Sequence, residues 1–439
     1  MSRWVHVASI ATAAVALALA AGGCPPPQPT CDPAFAPAHV DGFVWGVSQG
    51  PTSLSPLAAD LGFEWKRLTM GWRTLEPVVT QQNLTRADVD ADPSLIDDFL
   101  ATANWAPYDA AIADITAAGM QPIAIIGHGY ASTLPDFNGE RLNPDTLGKE
   151  NYIGHQYLIT RAAVARYNGD GDRDAPGGQV IKFWQLENEL NQAMLTTLFT
   201  WREPIGLDGL TSAWADWQFL TDLLTALGDA VKTEDPDAVT TMNFHTDVHP
   251  NINALLNTPS WQASIIDWRE LVDVVSFDAY PNYYKAAPTL GSVVGERTTE
   301  IKALACPGQQ VMIMETGYPT GPAIRDFDEA GQAAFIQDAV DTSVAAGAEG
   351  FLLFGLKTAE THSVEITQED LDNLVFLGNA YDQGDAAGLL NFALQNLEYL
   401  QGHFNEVLQS VEGYWGLVHA DDTPKTAYAT VQAISASLP

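Results

Sequence analysis

The feature that most constrains this 439-residue chain is a set of eight short apolar runs, separated by stretches in which apolar residues return every three or four positions. The runs are Phe43–Val47, Trp65–Thr69, Gln121–Ile126, Val180–Leu186, Val239–Phe244, Val272–Phe277, Gln310–Met314 and Gly350–Phe354. Helical spacing between them is clearest over Tyr108–Ala118, Trp214–Lys232 and Ala330–Ala345. Strands alternating with helices pack the helices against a parallel sheet. Eight such units in roughly 400 residues fit a closed (β/α)8 TIM barrel, an α/β fold, better than a doubly wound open sheet. No change of composition divides residues 41–439, which read as one domain.

Two stretches fall outside the repeating unit. Asn168-Gly169-Asp170-Gly171-Asp172-Arg173-Asp174 has the alternating carboxylates of a calcium loop but lacks the glutamate that completes an EF-hand. Its default reading is a polar turn, with Asp170, Asp172 and Asp174 as the calcium ligands of the alternative. The stretch from about 358 to 411 follows the eighth strand and reads as helices, Gln368–Leu377 and Gly388–Leu408. An insertion there stands at the top face of a barrel, beside the cleft.

Residues 1–23 read as an export signal, with Arg3 ahead of the apolar stretch Ala8–Ala21. Cys24 after Ala21-Gly22-Gly23 resembles the lipid-attachment box of bacterial lipoproteins, with its leucine displaced to Leu19; the other reading is an ordinary secretory signal cut nearby. Residues 24–40 then form a proline-rich tether. The chain is therefore expected to be exported, as an envelope lipoprotein held only by a lipid on Cys24, or else secreted or periplasmic. Cys31 and Cys306 remain for a disulfide, a pairing that sequence leaves open. A net charge of −35 repels nucleic acid and anionic surfaces, and favours a neutral sugar over a polyuronate as partner.

Two strands end in carboxylates. Phe183-Trp184-Gln185-Leu186-Glu187-Asn188-Glu189 and Val311-Met312-Ile313-Met314-Glu315-Thr316-Gly317-Tyr318-Pro319 place Glu189 and Glu315 at the C-terminal rim, where barrels carry their chemistry. Glycoside hydrolysis needs such a pair: one acid protonates the departing oxygen, and the other attacks the anomeric carbon or activates water.

On these motifs the chain resembles glycoside hydrolase clan A, whose barrels carry an Asn-Glu acid/base after strand four and a nucleophilic Glu after strand seven. Glu315-Thr316-Gly317-Tyr318-Pro319 is similar to the matching segment of endo-β-1,3-glucanases and endo-β-1,4-galactanases. The resemblance implies a retaining, double-displacement enzyme without metal or organic cofactor, with Glu189 as acid/base and Glu315 as nucleophile. It also implies a substrate-binding set. Arg67 holds Glu315 ionised, Asn188 bonds the sugar 2-hydroxyl, and Tyr280 bonds the nucleophile. His128 lines the sugar site, His245 belongs to a loop at the cleft, and Trp415 supplies an aromatic platform. Asp278 stands where many members have histidine, and Phe354-Gly355-Leu356-Lys357 replaces their strand-eight tryptophan. Trp72, Tyr130, Trp201, Tyr283 and Tyr284 are further stacking candidates, and Glu187 would share a strand face with Glu189 if extended structure persists.

Two other readings stay open. One is a non-catalytic carbohydrate-binding surface lipoprotein on a glycosidase-like barrel. The other is a metal-dependent barrel hydrolase using His245, Asp247 and His249, whose alternating spacing suits ligands.

Overall fold

The computed structural model describes residues 30–438 apart from 78, 80, 130–132, 138–139, 196–210, 284–287, 397–398 and 401. The signal, the first part of the tether through residue 29 with Cys24, Tyr130, Trp201 and Tyr284 lie outside the described residues. Among those described, no helix is long and apolar enough to cross a membrane.

Eight parallel strands close a barrel: β1 (Val44–Gln49), β2 (Trp65–Thr69), β3 (Gln121–Ile126), β4 (Phe183–Asn188), β5 (Val239–His245), β6 (Val274–Ala279), β7 (Gln310–Thr316) and β8 (Gly350–Gly355). Each pairs with its neighbours in sequence, and β8 closes on β1. The barrel with its inserted helices is the α/β architecture that the strand count implies.

Side-chain alternation sorts each strand into two columns. Outward residues such as Trp45, Ala124, Trp184, Met242, Phe277 and Ile313 join the large core beneath the helices. Inward, Val44, Trp65, Ile123, Phe183, Val239, Val274, Met312 and Leu352, one per strand, fill the lower half of the barrel. Two residues further along, the inward column turns polar on four strands, where Arg67, Gln185, Thr241 and Ser276 are all buried. An apolar floor thus carries a polar upper layer, which is what positions the site.

Helix boundaries follow local chemistry. The helix expected from Trp214 starts at Trp217, because the Asp216 side chain caps it by accepting from the Gln218 and Phe219 amides. The inserted segment forms helices Gln368–Asp382, Ala386–Gln395 and His403–Gln409. The single helix expected over Gly388–Leu408 is broken ahead of Gly402, whose φ of −109° and ψ of −108° lie outside the helical region. Ile366, Leu374, Phe404 and Val407 give this insertion a small core of its own.

Cys31 and Cys306 form a disulfide, 275 residues apart in sequence with Cα atoms 5.8 Å apart. Next to it, the Ala38 amide donates to Asp273 (2.8 Å), and Gln310 brackets Val40 through both its amide oxygen and nitrogen (2.8 and 2.9 Å). The segment before β1 is thereby fastened across the barrel floor.

Candidate active site

Both rim glutamates sit at interruptions of strand regularity. Along β4, Gln185 pairs with Thr241 but Asn188 pairs with Asn243, so three steps on one strand oppose two on the other. Glu187 and Glu189 occupy left-handed backbone, with φ of 65° and 49°, a conformation costly for residues other than glycine. The extended run that would have kept Glu187 on the face of Glu189 therefore does not persist. Glu187 instead turns aside, where Oε2 accepts from the Gly129 amide at 3.3 Å. On β7 the register slips between Ile313 and Glu315 against Phe277 and Asp278. Met314 already points into the barrel, so without the extra residue Glu315 would point out; the bulge aims it inward.

Glu315 is gripped by two donors. Arg67 pairs with Oε1, and the Tyr280 hydroxyl donates to Oε2 at 2.5 Å. Burial pushes the Glu315 acidity towards the neutral form, Arg67 opposes this, and the charge of Glu189 adds to it. Because guanidinium and phenol both donate, the ionised carboxylate is the form that this pocket binds. Glu189 meets His245, whose Nδ1 lies 2.7 Å from Oε1. Burial alone would lower His245, but the carboxylates of Glu189, Asp247 and Glu315 raise it to about 9.

A belt of amides joins the two halves. Arg67 Nη1 donates to Gln185 Oε1 (3.0 Å), Gln185 Nε2 donates to Asn243 (2.5 Å) and Asn188 (3.1 Å), and Asn243 Nδ2 donates to Asn188 Oδ1 (2.8 Å) and to Asp278. With two donors on its carbonyl oxygen, the Asn188 amide is fixed in orientation. Asp278 is fully buried, and burial together with the Glu315 and Glu189 charges raises it well above the usual carboxylate range.

Tyr280 is held from both ends, since its amide donates to Asp247 Oδ2 at 2.7 Å. Trp415 packs edge-on behind it at 5.4 Å, and Phe354 also lies edge-on at 5.4 Å. A Cβ at Gly317 would come within 3.0 Å of the Trp415 ring, which explains the glycine in Thr316-Gly317-Tyr318-Pro319. Trp415, only 2% exposed, thus underpins Tyr280 and has little free face to serve as an open platform. His128 is anchored on the β3 rim through its backbone, where its carbonyl accepts from the Thr133 hydroxyl. Trp72 stacks on His155 at 4.9 Å, away from the carboxylates' own contacts.

The metal-type arrangement does not assemble. Asp247 is bonded to the Tyr280 amide, His245 to Glu189, and His249 Nδ1 accepts from the Asn251 amide to cap the helix Pro250–Leu256. Among the described residues the one convergent group of metal-type side chains is Cys31, Glu270 and Cys306, and its two cysteines are joined in the disulfide. In the Asp-rich turn, Asp170 and Asp174 accept from the Asp172 and Gly171 amides, so their carboxylates build the turn itself.

Sequence reading missed Gln185, Asn243 and Asp278 as parts of the site, and also Glu412. The first three carried a signal, since each is a polar residue at an inward strand position. Glu412 lies in the 3-10 turn Ser410–Tyr414, and burial, with the charges of Glu315 and Glu189 adding to it, pushes its carboxyl up to about 7.

No protein-family model and no curated protein matches the sequence. Solved structures do resemble it. The GH5_18 protein from Streptomyces cattleya, in complex with GlcNAc, is 14% identical with a TM-score of 0.55 over 89% of this chain and 79% of its own. The β-glucosidase 1317 is 16% identical with a TM-score of 0.52 over 88% of each chain. Fpglu1 from Fervidobacterium pennivoraus is 11% identical with a TM-score of 0.56 over 88% of this chain and 83% of its own. Together with the closed eight-stranded parallel sheet, these similarities show that the chain has the (β/α)8 barrel fold found in glycosidases of this kind.

Proposed function

We propose that the chain is a retaining glycoside hydrolase cleaving β-glycosidic bonds in a neutral polysaccharide or oligosaccharide. One observation carries this reading: two inward carboxyls stand on bulged strand ends, one clamped by Arg67 and Tyr280 and the other paired with His245. These environments separate the two acids as double displacement requires. Glu315, held ionised by its donors, attacks the anomeric carbon. Glu189 protonates the leaving oxygen and later takes the proton of the attacking water. The proton for the first step belongs to the Glu189–His245 pair, which shares it as a unit. Asn188, oriented by Gln185 and Asn243, offers its amide NH2 to the sugar 2-hydroxyl, and Tyr280 keeps Glu315 aligned. The sugar bound by the Streptomyces cattleya neighbour and the name of the β-glucosidase support a carbohydrate substrate. Export by the N-terminal signal, with a lipid on Cys24 as the anchor, suits a substrate met outside the cell.

The test is hydrolysis of β-glucans, galactans, mannans and aryl glycosides by wild type, Glu189→Gln and Glu315→Gln, with the anomer of the first-formed product read by NMR. Loss of turnover in both variants and a retained anomer support the reading. Binding without turnover in the wild type replaces it with glycan capture, the reading that Phe354 at the strand-eight position favours.

A further inference from the structure

Resting on the glycosidase reading, we propose that the inserted helices close one exit of the catalytic cleft, so that the enzyme removes sugars from one end of a chain and does not cut within it. Glu189 follows β4 and Glu315 stands on β7, and the two acids flank the bond to be cut. A sugar chain lying between them has two ways off the barrel mouth: over β5 and β6, or over β8 and β1 to β3.

The insertion is footed along the whole of the shorter way. It leaves the barrel after β8, and its outgoing and returning ends stay together. The Glu360 amide donates to the Gly413 carbonyl (2.7 Å), His362 Nδ1 lies 2.8 Å from the Tyr414 hydroxyl, and the Ser363 hydroxyl donates to Glu406 (3.2 Å). The returning end is seated on the segments that follow β7 and β6. The Thr320 amide donates to the Tyr414 carbonyl (3.1 Å), Gly321 leaves no room for a Cβ against the Tyr414 ring, and Trp415 stacks on Tyr283 with ring planes 15° apart. This footing belongs to the catalytic ring, since the same Trp415 packs on Tyr280, which bonds Glu315. The far footing follows β5. Asn251, in the helix Pro250–Leu256, donates its side-chain amide to the Gly384 carbonyl (3.1 Å), and a Cβ at Gly384 would collide with the His249 ring. Helix Ala386–Gln395 lies against the same short helix. Between the footings the insertion has its own core of Ile366, Leu374, Phe404 and Val407, so the span is a packed body. A body fixed beside β8, β7, β6 and β5 stands across the exit over β5 and β6. A longer chain meets helices there, an exclusion that acts on the continuing polymer and leaves its terminal sugars free to bind.

The experiment uses the full chain and the polysaccharide class that it hydrolyses in the panel above. Viscosity is read against reducing ends released, and oligosaccharides are supplied blocked at the reducing or at the non-reducing end. Wild type should release one short product from the outset with viscosity nearly unchanged. Blocking one end, the same end at every length, should lower kcat/KM by about a hundredfold. Gly384→Leu wedges the far footing away from His249, and a second protein carries a Gly-Ser linker in place of residues 364–409. Both should cut internally, losing viscosity about tenfold faster per bond broken. Internal cutting by wild type, indifference to either block, or end-directed products retained by both folded variants overturns the proposal. The wild-type result stands as a test whether or not either variant folds. Turnover with internal cuts keeps the hydrolase and sinks the closed exit. Where wild type binds without turnover, calorimetry on chains of rising length decides. One protein per chain at every length keeps the closed exit and sinks the hydrolase; a stoichiometry that climbs with length sinks both.

Discussion

His245 Nδ1 lies 2.7 Å from Glu189 Oε1, and although burial pushes the imidazole down, its carboxylate neighbours raise it to about 9. A raised histidine contributes stability in full below its ordinary value of 6.5, and that contribution is lost as pH rises through about 9. The same proton serves the acid step, so the alkaline limb of the kcat/KM profile should fall near 9. In His245→Gln the limb should move to lower pH, with kcat reduced by about 10²-fold, the usual worth of a placed proton donor. A pH–rate profile on an activated and an unactivated aryl glycoside checks this, because a good leaving group needs no proton. Equal losses on both substrates would remove His245 from proton delivery.

Arg67 and Tyr280 act on one carboxylate in different ways. Tyr280→Phe removes one donor and should lower kcat about tenfold to a hundredfold with little change in KM, as expected for a hydrogen bond to a charged group. Arg67→Met leaves Glu315 buried without its cation, which should cost about 3–5 kcal/mol of stability as well as activity. Thermal melts read beside kinetics separate the two: Tyr280→Phe should melt close to wild type and Arg67→Met well below it.

Asp370 anchors the inserted helices. Burial pushes its carboxyl up, yet hydrogen bonds from Tyr399, Thr367 and His403 bring it down to about 2. A depressed carboxyl stabilises above its unfolded value of 3.8, and that share is lost as pH falls through about 2. The insertion should therefore loosen between about pH 4 and 2. Amide exchange over residues 366–409 in mild acid, compared with Asp370→Asn, measures this; the variant should exchange faster at neutral pH and respond less to acid.

What was legible in the sequence followed period and composition. The eight strands could be read because parallel barrel strands are apolar on both faces in their lower halves, which makes continuous runs such as Gln121–Ile126 stand out. Glu189 and Glu315 could be read because each ends such a run. The bulges could not, since register depends on the partner strand; extended structure would have set Glu187 on the face of Glu189, and its φ of 65° turns it away. The spacing of His245, Asp247 and His249 suggested ligands, but three separate hydrogen-bond commitments send these side chains in different directions. Glu412 had no local mark, because it reaches the site only after the inserted helices have carried the chain out and back.

The Cys31–Cys306 disulfide spans most of the chain, and the residues just after Cys31 lie across the barrel floor against Asp273 and Gln310. A crosslink closing so long a loop removes much freedom from the unfolded chain, while the folded cleft lies at the other end of the barrel. Replacing both cysteines by serine should thus lower stability by about 2–5 kcal/mol and leave the sugar-binding constant within about twofold. Denaturant unfolding and sugar titration on the same preparation test this. A large loss of binding at full stability would mean that the floor segment communicates with the rim, and the separation of an apolar floor from a polar catalytic layer would have to be given up.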